Sequence, residues 1–132
     1  YSQNVIFFQG DSVSDEFVAL VREQLKALAA PKVLVSLDSD HTEKHVFQEM
    51  MTLSPFVSVG SFAIVWDSRL GDLSRLTNYL RPRAWNKKHH AGTGVTLFLD
   101  TKENRLNFQN CNFLEKELLI TGTKNGILRK IR

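Results

Sequence analysis

The sequence has little cysteine, little proline and no long hydrophobic run. Its single cysteine, Cys111, excludes an internal disulfide and a thiolate metal cluster, and we interpret this residue as buried and structural. The longest apolar runs, such as residues 62–66, fall far short of the roughly 18 residues of a membrane-spanning helix. No charged-then-apolar signal segment opens the chain. We therefore expect a cytoplasmic globular protein without a membrane span.

The composition that remains is that of a packed domain. Hydrophobic residues make up 42% of the chain and charged residues 23%, which is typical of a protein that buries a core. A length of 132 residues fits a single domain or part of one. The chain starts at Tyr1 and enters the apolar run 5–8 almost at once. This start suggests a fragment of a longer protein, although processing of the chain could give the same start.

The charge distribution argues against a nucleic-acid partner. The net charge is +3, but the basic residues concentrate in two short segments, 81–90 and 129–132. Elsewhere acidic and basic residues alternate, as on a solvated surface. The sequence therefore does not indicate the continuous basic groove of a nucleic-acid binder.

Hydrophobic periodicity in the first half of the chain predicts alternating strands and helices. Helical spacing after the capping residue Ser14 predicts a helix over 15–29 that Pro31 ends. A second helix is predicted from Thr42 until Pro55 stops it. Short apolar runs predict buried strands at 5–8, 33–37 and 62–66. This order predicts an α/β domain whose strands are parallel and joined by helices.

The second half has weaker periodicity. Residues 68–94 are predicted as a long loop with a helical turn at 73–79, and long ordered loops are often functional. Periodicity alone leaves 95–99 open between strand and helix, and we predict a helix over 93–103. Two closing strands are predicted at 108–113 and 118–123. The turn dipeptide Asn125-Gly126 before Ile127-Leu128 then predicts a C-terminal antiparallel hairpin.

Acidic residues follow the predicted strands at the edge where parallel sheets bind ligands. Asp38 and Asp67 end neighbouring strands, and two such carboxylates can share a divalent cation such as magnesium. His41, three residues after Asp38, can act as a general base or as a further ligand. The alternative is that Asp38 and Asp40 cap the second helix.

Several blocks carry a family resemblance that runs over nearly the whole chain. They are Gln9-Gly10-Asp11-Ser12, residues 33–41 with Asp38-Ser39-Asp40-His41 as the most specific part, residues 53–62, and the endings 117–121 and 125–131. Together they resemble the cephalosporin hydroxylase and rhamnosyl O-methyltransferase family.

The resemblance implies a Rossmann-like three-layer sandwich that uses S-adenosylmethionine, with a mostly parallel sheet and a magnesium ion beside the cofactor. It assigns the metal to Asp38 and Asp67. It assigns the adenosine-facing loop to Gly10, Asp11 and Ser12. His41 stands where related catechol-type methyltransferases carry their base, so the resemblance makes it the residue that deprotonates an acceptor hydroxyl.

Two departures from the family pattern weaken this assignment. Many members carry an acidic residue just before the second metal aspartate, where this chain has Trp66. The family's glycine-rich cofactor loop and the acidic strand after it are expected upstream of residue 1, so the first strands of the fold are expected to be missing. In that case either the first strand pairs beside the second, or a partner chain such as a second copy covers the exposed edge.

The basic loop offers a candidate acceptor site. Trp85 could stack on a sugar or another ring, while Lys87 and His89 could meet anionic groups. The alternative is a solvated loop without a ligand. The adjacent histidines His89 and His90 lack the spacing of a closed transition-metal site.

The leading hypothesis is thus a metal-assisted O-methyltransferase acting on a sugar or small hydroxylated acceptor. A non-catalytic remnant or binding module of the same fold is the main alternative. A hydroxylase is a weaker one, because no iron-binding facial triad is recognisable. A nucleic-acid binder comes last.

Overall fold

The computed structural model describes residues 5–29, 32–72, 84–118 and 121–132, with the side chain of residue 118 left out. The chain divides into two compact units, Tyr1–Pro31 and Lys32–Arg132, and each is described by itself. The helical turn predicted at 73–79 and the helix-ending Pro31 lie outside the described residues.

The first unit contains one helix, α1, over Asp15–Ala27. Ser14 has extended backbone and its hydroxyl accepts a hydrogen bond from the Phe17 amide at 3.2 Å, as an N-cap should. Asp15 and Glu16 in the first turn suit the positive end of the helix dipole. The predicted helix and its cap are therefore confirmed.

The strand predicted at residues 5–8 is wrong. These residues have no regular structure, and all four side chains are exposed. A strand exists only through hydrogen bonds with a neighbouring strand, and the described residues of this unit otherwise form only α1 and its turns. An apolar run alone does not supply that partner.

The second unit is mixed α/β. Where it is described, its elements are β1 (Val35–Leu37), α2 (Glu43–Leu53) with a 3-10 turn (Ser54–Phe56), β2 (Phe62–Val65), α3 (Ala91–Asp100), α4 (Lys102–Asn107), β3 (Phe108–Asn110), α5 (Asn112–Leu118) and β4 (Ile127–Lys130). Among the described residues, no helix has the length and apolar character needed to cross a membrane.

The four strands form an open sheet in the order β1-β2-β4-β3. β1 and β2 are parallel, with Leu37 opposite Val65. β4 runs antiparallel to both β2 and β3. Among the described strands the sheet is mixed, with one parallel and two antiparallel pairs, so the predicted mostly parallel sheet is not confirmed.

The C-terminal hairpin differs from the prediction. Residues 112–118 form helix α5, and residues 121–123 are not in a strand, so the predicted strand at 118–123 is wrong where it is described. The run Glu115-Lys116-Glu117 consists of good helix formers. The prediction instead used the apolar residues from Leu118 onward to assign a strand. β4 after Asn125-Gly126 is confirmed, and its antiparallel partners are β3 and β2. Asn125 adopts the left-handed φ of +57° that such a turn requires.

The core lies between the sheet and the pair α2 and α3. The predicted helix at 93–103 is confirmed as α3, and Gly94 lets it approach α2 closely, because a Cβ there would lie 2.7 Å from the Glu43 carbonyl oxygen. Cys111 is buried, as predicted, and burial raises the pKa of its thiol. The buried apolar residues are Leu37, Val46, Met50, Leu53, Val57, Ala63, Val65, Trp85, Ala91, Val95, Phe98, Phe108, Cys111 and Leu128.

Candidate metal and base site

The candidate site lies where the two parallel strands end. Asp38 directly follows β1, and Asp67 stands two residues after β2. The Trp66 amide donates to the Leu37 carbonyl at 2.9 Å, so the two chains still run side by side there. Asp67 has a left-handed φ of +54°, which aspartate tolerates better than most residues. The parallel pairing thus brings both carboxylates to one edge.

His41 completes a group of three candidate metal ligands. Its Nε2 lies 2.8 Å from Asp67 Oδ2 and 3.9 Å from Asp38 Oδ1. One ligand atom from each residue lies within 4.8 Å of the others. The structure therefore brings together the three residues that the sequence selected as metal ligands and base.

Both ring nitrogens of His41 face oxygen acceptors. Nδ1 lies 2.9 Å from the Ser39 carbonyl oxygen, which cannot donate, so Nδ1 carries the proton of that bond. Nε2 faces the carboxylate of Asp67, and 2.8 Å separates it from Oδ2. The ring is thus held between a carbonyl oxygen and a carboxylate.

Neither Asp38 nor Asp40 caps α2. Asp40 Oδ1 accepts a hydrogen bond from the Thr42 amide at 2.8 Å, which forms a turn just before the helix. Thr42 is the N-cap by backbone geometry but makes no side-chain capping bond. The carboxylate of Asp38 is instead directed at His41, and its side chain is mostly exposed.

A buried carboxyl group beneath this loop was not predicted. Glu49 on α2 is 1% exposed, and its Oε1 accepts a hydrogen bond from the Ser39 hydroxyl at 2.8 Å. His45 Nε2 lies 3.4 Å from the same oxygen. The signal was present in the sequence, since Glu49 occupies an inward position of the helical pattern between Val46 and Leu53.

Trp66 directly precedes Asp67, at the position where the resemblance predicts an acidic residue. Its side chain is half exposed, and its indole nitrogen donates to the Ser36 hydroxyl at 2.8 Å. The ring is therefore held over the neighbouring strand β1. It adds no carboxylate to the Asp38–His41–Asp67 group.

The residues proposed for acceptor binding differ in their exposure to solvent. Trp85 is only 8% exposed and belongs to the core, so it offers almost no ring face for stacking. Lys87 is exposed. His89 Nδ1 lies 2.9 Å from Glu43 Oε1. A hydrogen bond from Thr93 and then the contact with His89 lower the pKa of Glu43.

His90 has a structural task that the sequence did not reveal. Its Nδ1 accepts a hydrogen bond from the Gly92 amide at 3.1 Å, while Thr93 bonds back to the His90 backbone, so the pair caps α3. Burial lowers the pKa of His90, and the nearby carboxylates of Asp72 and Glu43 oppose that shift. His89 and His90 thus have separate partners.

The loop with the predicted cofactor residues lies in the first unit. Gly10, Asp11 and Ser12 precede α1, and Asp11 Oδ1 accepts a hydrogen bond from the Val13 amide at 3.0 Å. This bond shapes the loop into a turn that leads into the Ser14 cap.

Comparisons with known proteins agree with the resemblance. A family model described as Rhamnosyl O-methyltransferase/CmcI matches residues 1–131. The rhamnosyl O-methyltransferase of Mycobacterium bovis (strain BCG / Pasteur 1173P2) is 35% identical over 65 residues, covering 49% of this chain and 26% of that protein. That of Mycobacterium leprae (strain TN) is 33% identical over 67 residues, covering 51% of this chain and 29% of that protein. The matched region thus spans under a third of these relatives. No solved structure matches significantly.

Proposed function

This chain belongs to the rhamnosyl O-methyltransferase/CmcI family, and we propose that it is part of an S-adenosylmethionine-dependent O-methyltransferase with a Rossmann-like fold. The proposed acceptor is a sugar or another small hydroxylated molecule in the cytoplasm, and a rhamnosyl group is the first candidate. The observation that carries the proposal is the convergence of Asp38, His41 and Asp67 at the end of two parallel strands.

The donor set of this group suits a divalent cation. Two carboxylate oxygens are ligands that Mg²⁺, Mn²⁺ and similar ions accept, and water or an acceptor oxygen can fill the other positions. Asp38 and Asp67 would hold the ion. When bound, the ion would lower the pKa of an acceptor hydroxyl, and S-adenosylmethionine would supply the electrophilic methyl group.

His41 is the proposed general base. The bond from Nδ1 to the Ser39 carbonyl leaves Nε2 as the nitrogen that accepts the acceptor's proton. Asp67, 2.8 Å from Nε2, then stabilises the imidazolium that forms.

The remaining assignments rest on the family pattern. Gly10, Asp11 and Ser12 are proposed to face the adenosine of the cofactor. Lys87 and His89 are proposed to contact the acceptor, and the burial of Trp85 removes it from that role.

A methyl-transfer assay tests this function. A version of the protein extended at its N-terminus, so that it includes the expected glycine-rich cofactor loop, is incubated with Mn²⁺ or Mg²⁺, a rhamnoside, and S-adenosylmethionine labelled in its methyl group. Label is then counted in the rhamnoside. We expect metal-dependent transfer that His41→Gln lowers by about 10²- to 10⁴-fold, the usual contribution of a general base. Asp40→Asn, in the same loop, should transfer at the wild-type rate. Absence of both transfer and calorimetric cofactor binding would overturn the proposal.

A second candidate is a non-catalytic module of the same fold. Trp66 favours it, because the site lacks the extra carboxylate that many family members place before the second metal aspartate. The same assay separates the two candidates, since such a module would transfer no label even where it binds an acceptor.

A further inference from the structure

A buried carboxyl group supports the candidate site from below. Glu49 is 1% exposed and shares the inward face of α2 with Val46, Met50 and Leu53, which are all apolar. Burying a carboxyl group among apolar side chains costs free energy that a leucine or methionine would not. Stability alone therefore does not explain a glutamate at this position.

Glu49 connects to the site through a short series of hydrogen bonds. Its Oε1 accepts from the Ser39 hydroxyl at 2.8 Å, and the Ser39 carbonyl accepts from His41 Nδ1 at 2.9 Å. Nε2 of the same ring meets Asp67 at 2.8 Å. His45, one helical turn before Glu49, lies 3.4 Å from the same carboxyl oxygen. These hydrogen bonds thus link helix α2 to the exposed loop between β1 and α2.

The loop fixes its own backbone at the entrance to α2, where Asp40 Oδ1 accepts from the Thr42 amide, but that bond does not hold residue 39. Ser39 is exposed, and the side chain of Asp38 is 65% exposed. Without an anchor, the Ser39 carbonyl could turn away and the His41 ring could swing out of line with the two carboxylates. A residue that orients the hydrogen-bond partner of a metal-binding carboxylate, as His41 is for Asp67, tunes metal affinity without touching the ion.

We infer that Glu49 is a positioning residue, which fixes the Ser39 carbonyl and through it the orientation of His41 toward Asp38 and Asp67. The inference rests on the proposed function for its metal-binding consequence. The orientation of His41 can be measured without any metal.

Three variants and two measurements test this role. Glu49→Leu removes the acceptor but keeps an apolar packing group, Glu49→Gln keeps an oxygen that can accept from Ser39, and Ser39→Ala removes the donor on the exposed side. The nitrogen NMR shifts of the His41 ring report its hydrogen bonding in the metal-free protein. Metal affinity is measured by titrating Mn²⁺ into the protein and recording how far binding reduces the EPR signal of the free ion.

We expect Glu49→Leu and Ser39→Ala each to change the His41 shifts and to weaken Mn²⁺ binding by about 10- to 100-fold, the usual effect of outer-shell partners. The double variant should be no weaker than either single one, because both act through one hydrogen bond. Glu49→Gln should restore most of the affinity. Glu49→Leu should keep or raise the denaturation midpoint.

Two results would overturn the inference. One is unchanged His41 shifts in Ser39→Ala, a surface substitution that does not depend on refolding the core. The other is a loss of affinity that follows the loss of stability in Glu49→Leu and that Glu49→Gln does not rescue. If the wild-type chain binds no Mn²⁺ while its His41 shifts respond to both substitutions, the metal proposal fails and the positioning role stands.

Discussion

At the scale of the single residue, the cap of α3 depends on one unprotonated nitrogen. His90 Nδ1 accepts the Gly92 amide hydrogen, which a protonated ring could not do. Burial also lowers the pKa of His90 below its ordinary value of 6.5. The folded state therefore binds a proton at this site less readily than the unfolded chain does.

This difference predicts a pH-dependent stability. Since the unfolded chain takes up the proton first, the free energy of unfolding should fall as the pH drops below about 6.5. We expect the free energy of unfolding to fall by about 1 kcal/mol, the usual cost of losing a helix cap. Urea unfolding at several pH values measures it. His90→Asn keeps a capping oxygen without titrating, so its stability should fall less with acid. Equal acid sensitivity of both proteins would contradict the account.

Single residues were predictable where a backbone rule fixed their place. Parallel strands end at one edge, so the sequence alone predicted that Asp38, His41 and Asp67 would converge. Glu49 was not predicted, because its inward position in the helical pattern does not show which loop its carboxyl group meets. His90 was not predicted, because histidine is not among the residues that commonly cap a helix. Trp85 was expected at a surface but is buried, since aromatic side chains serve the core and ligand sites equally well.

At the scale of elements, the approach of α2 and α3 depends on a missing side chain. A Cβ at Gly94 would lie 2.7 Å from the Glu43 carbonyl oxygen and 3.0 Å from the Val46 Cβ. The nearest of these atoms is backbone and cannot swing aside. Glu43 begins the helix that carries Glu49, so this contact also bears on the site.

Gly94→Ala is therefore expected to destabilise the chain. Alanine favours a helix over glycine by about 1 kcal/mol, but overpacking a close helix contact costs about 1–3 kcal/mol or more. We expect a net loss, measured as a lower urea midpoint. Thr96→Ala on the exposed part of the same helix should stay within about 0.5 kcal/mol of wild type. A more stable Gly94→Ala would show that the helices can separate without cost.

Helices and strands were predicted correctly where a residue that starts or ends such an element accompanied the hydrophobic periodicity. Ser14 marked the start of α1, Pro55 the end of α2, and Asn125-Gly126 the turn before β4. The prediction failed at 5–8 and at 118–123, where apolar runs carried the assignment alone. Strand formation depends on a partner elsewhere in the chain, and no local pattern contains that information.

At the scale of the whole molecule, the sheet order places the site at the side of the described sheet where β1 is outermost. The outer strand of the sheet and its neighbour β2 each supply a carboxylate, and the loop after β1 supplies the histidine. An ion held by residues from both strand ends would bind the folded state alone. Metal binding should therefore stabilise the second unit as a whole, by about 2.7 kcal/mol at a concentration 100 times the dissociation constant.

The most direct measurement is thermal unfolding with and without Mn²⁺, for the wild type and for Asp67→Asn. Asparagine tolerates the left-handed φ of residue 67, so the substitution removes the charge and keeps the turn. Mn²⁺ should raise the midpoint of the wild type and of the control Asp40→Asn, and leave Asp67→Asn unchanged. An equal rise in all three proteins, or no rise in the wild type, would contradict a metal site at Asp38 and Asp67.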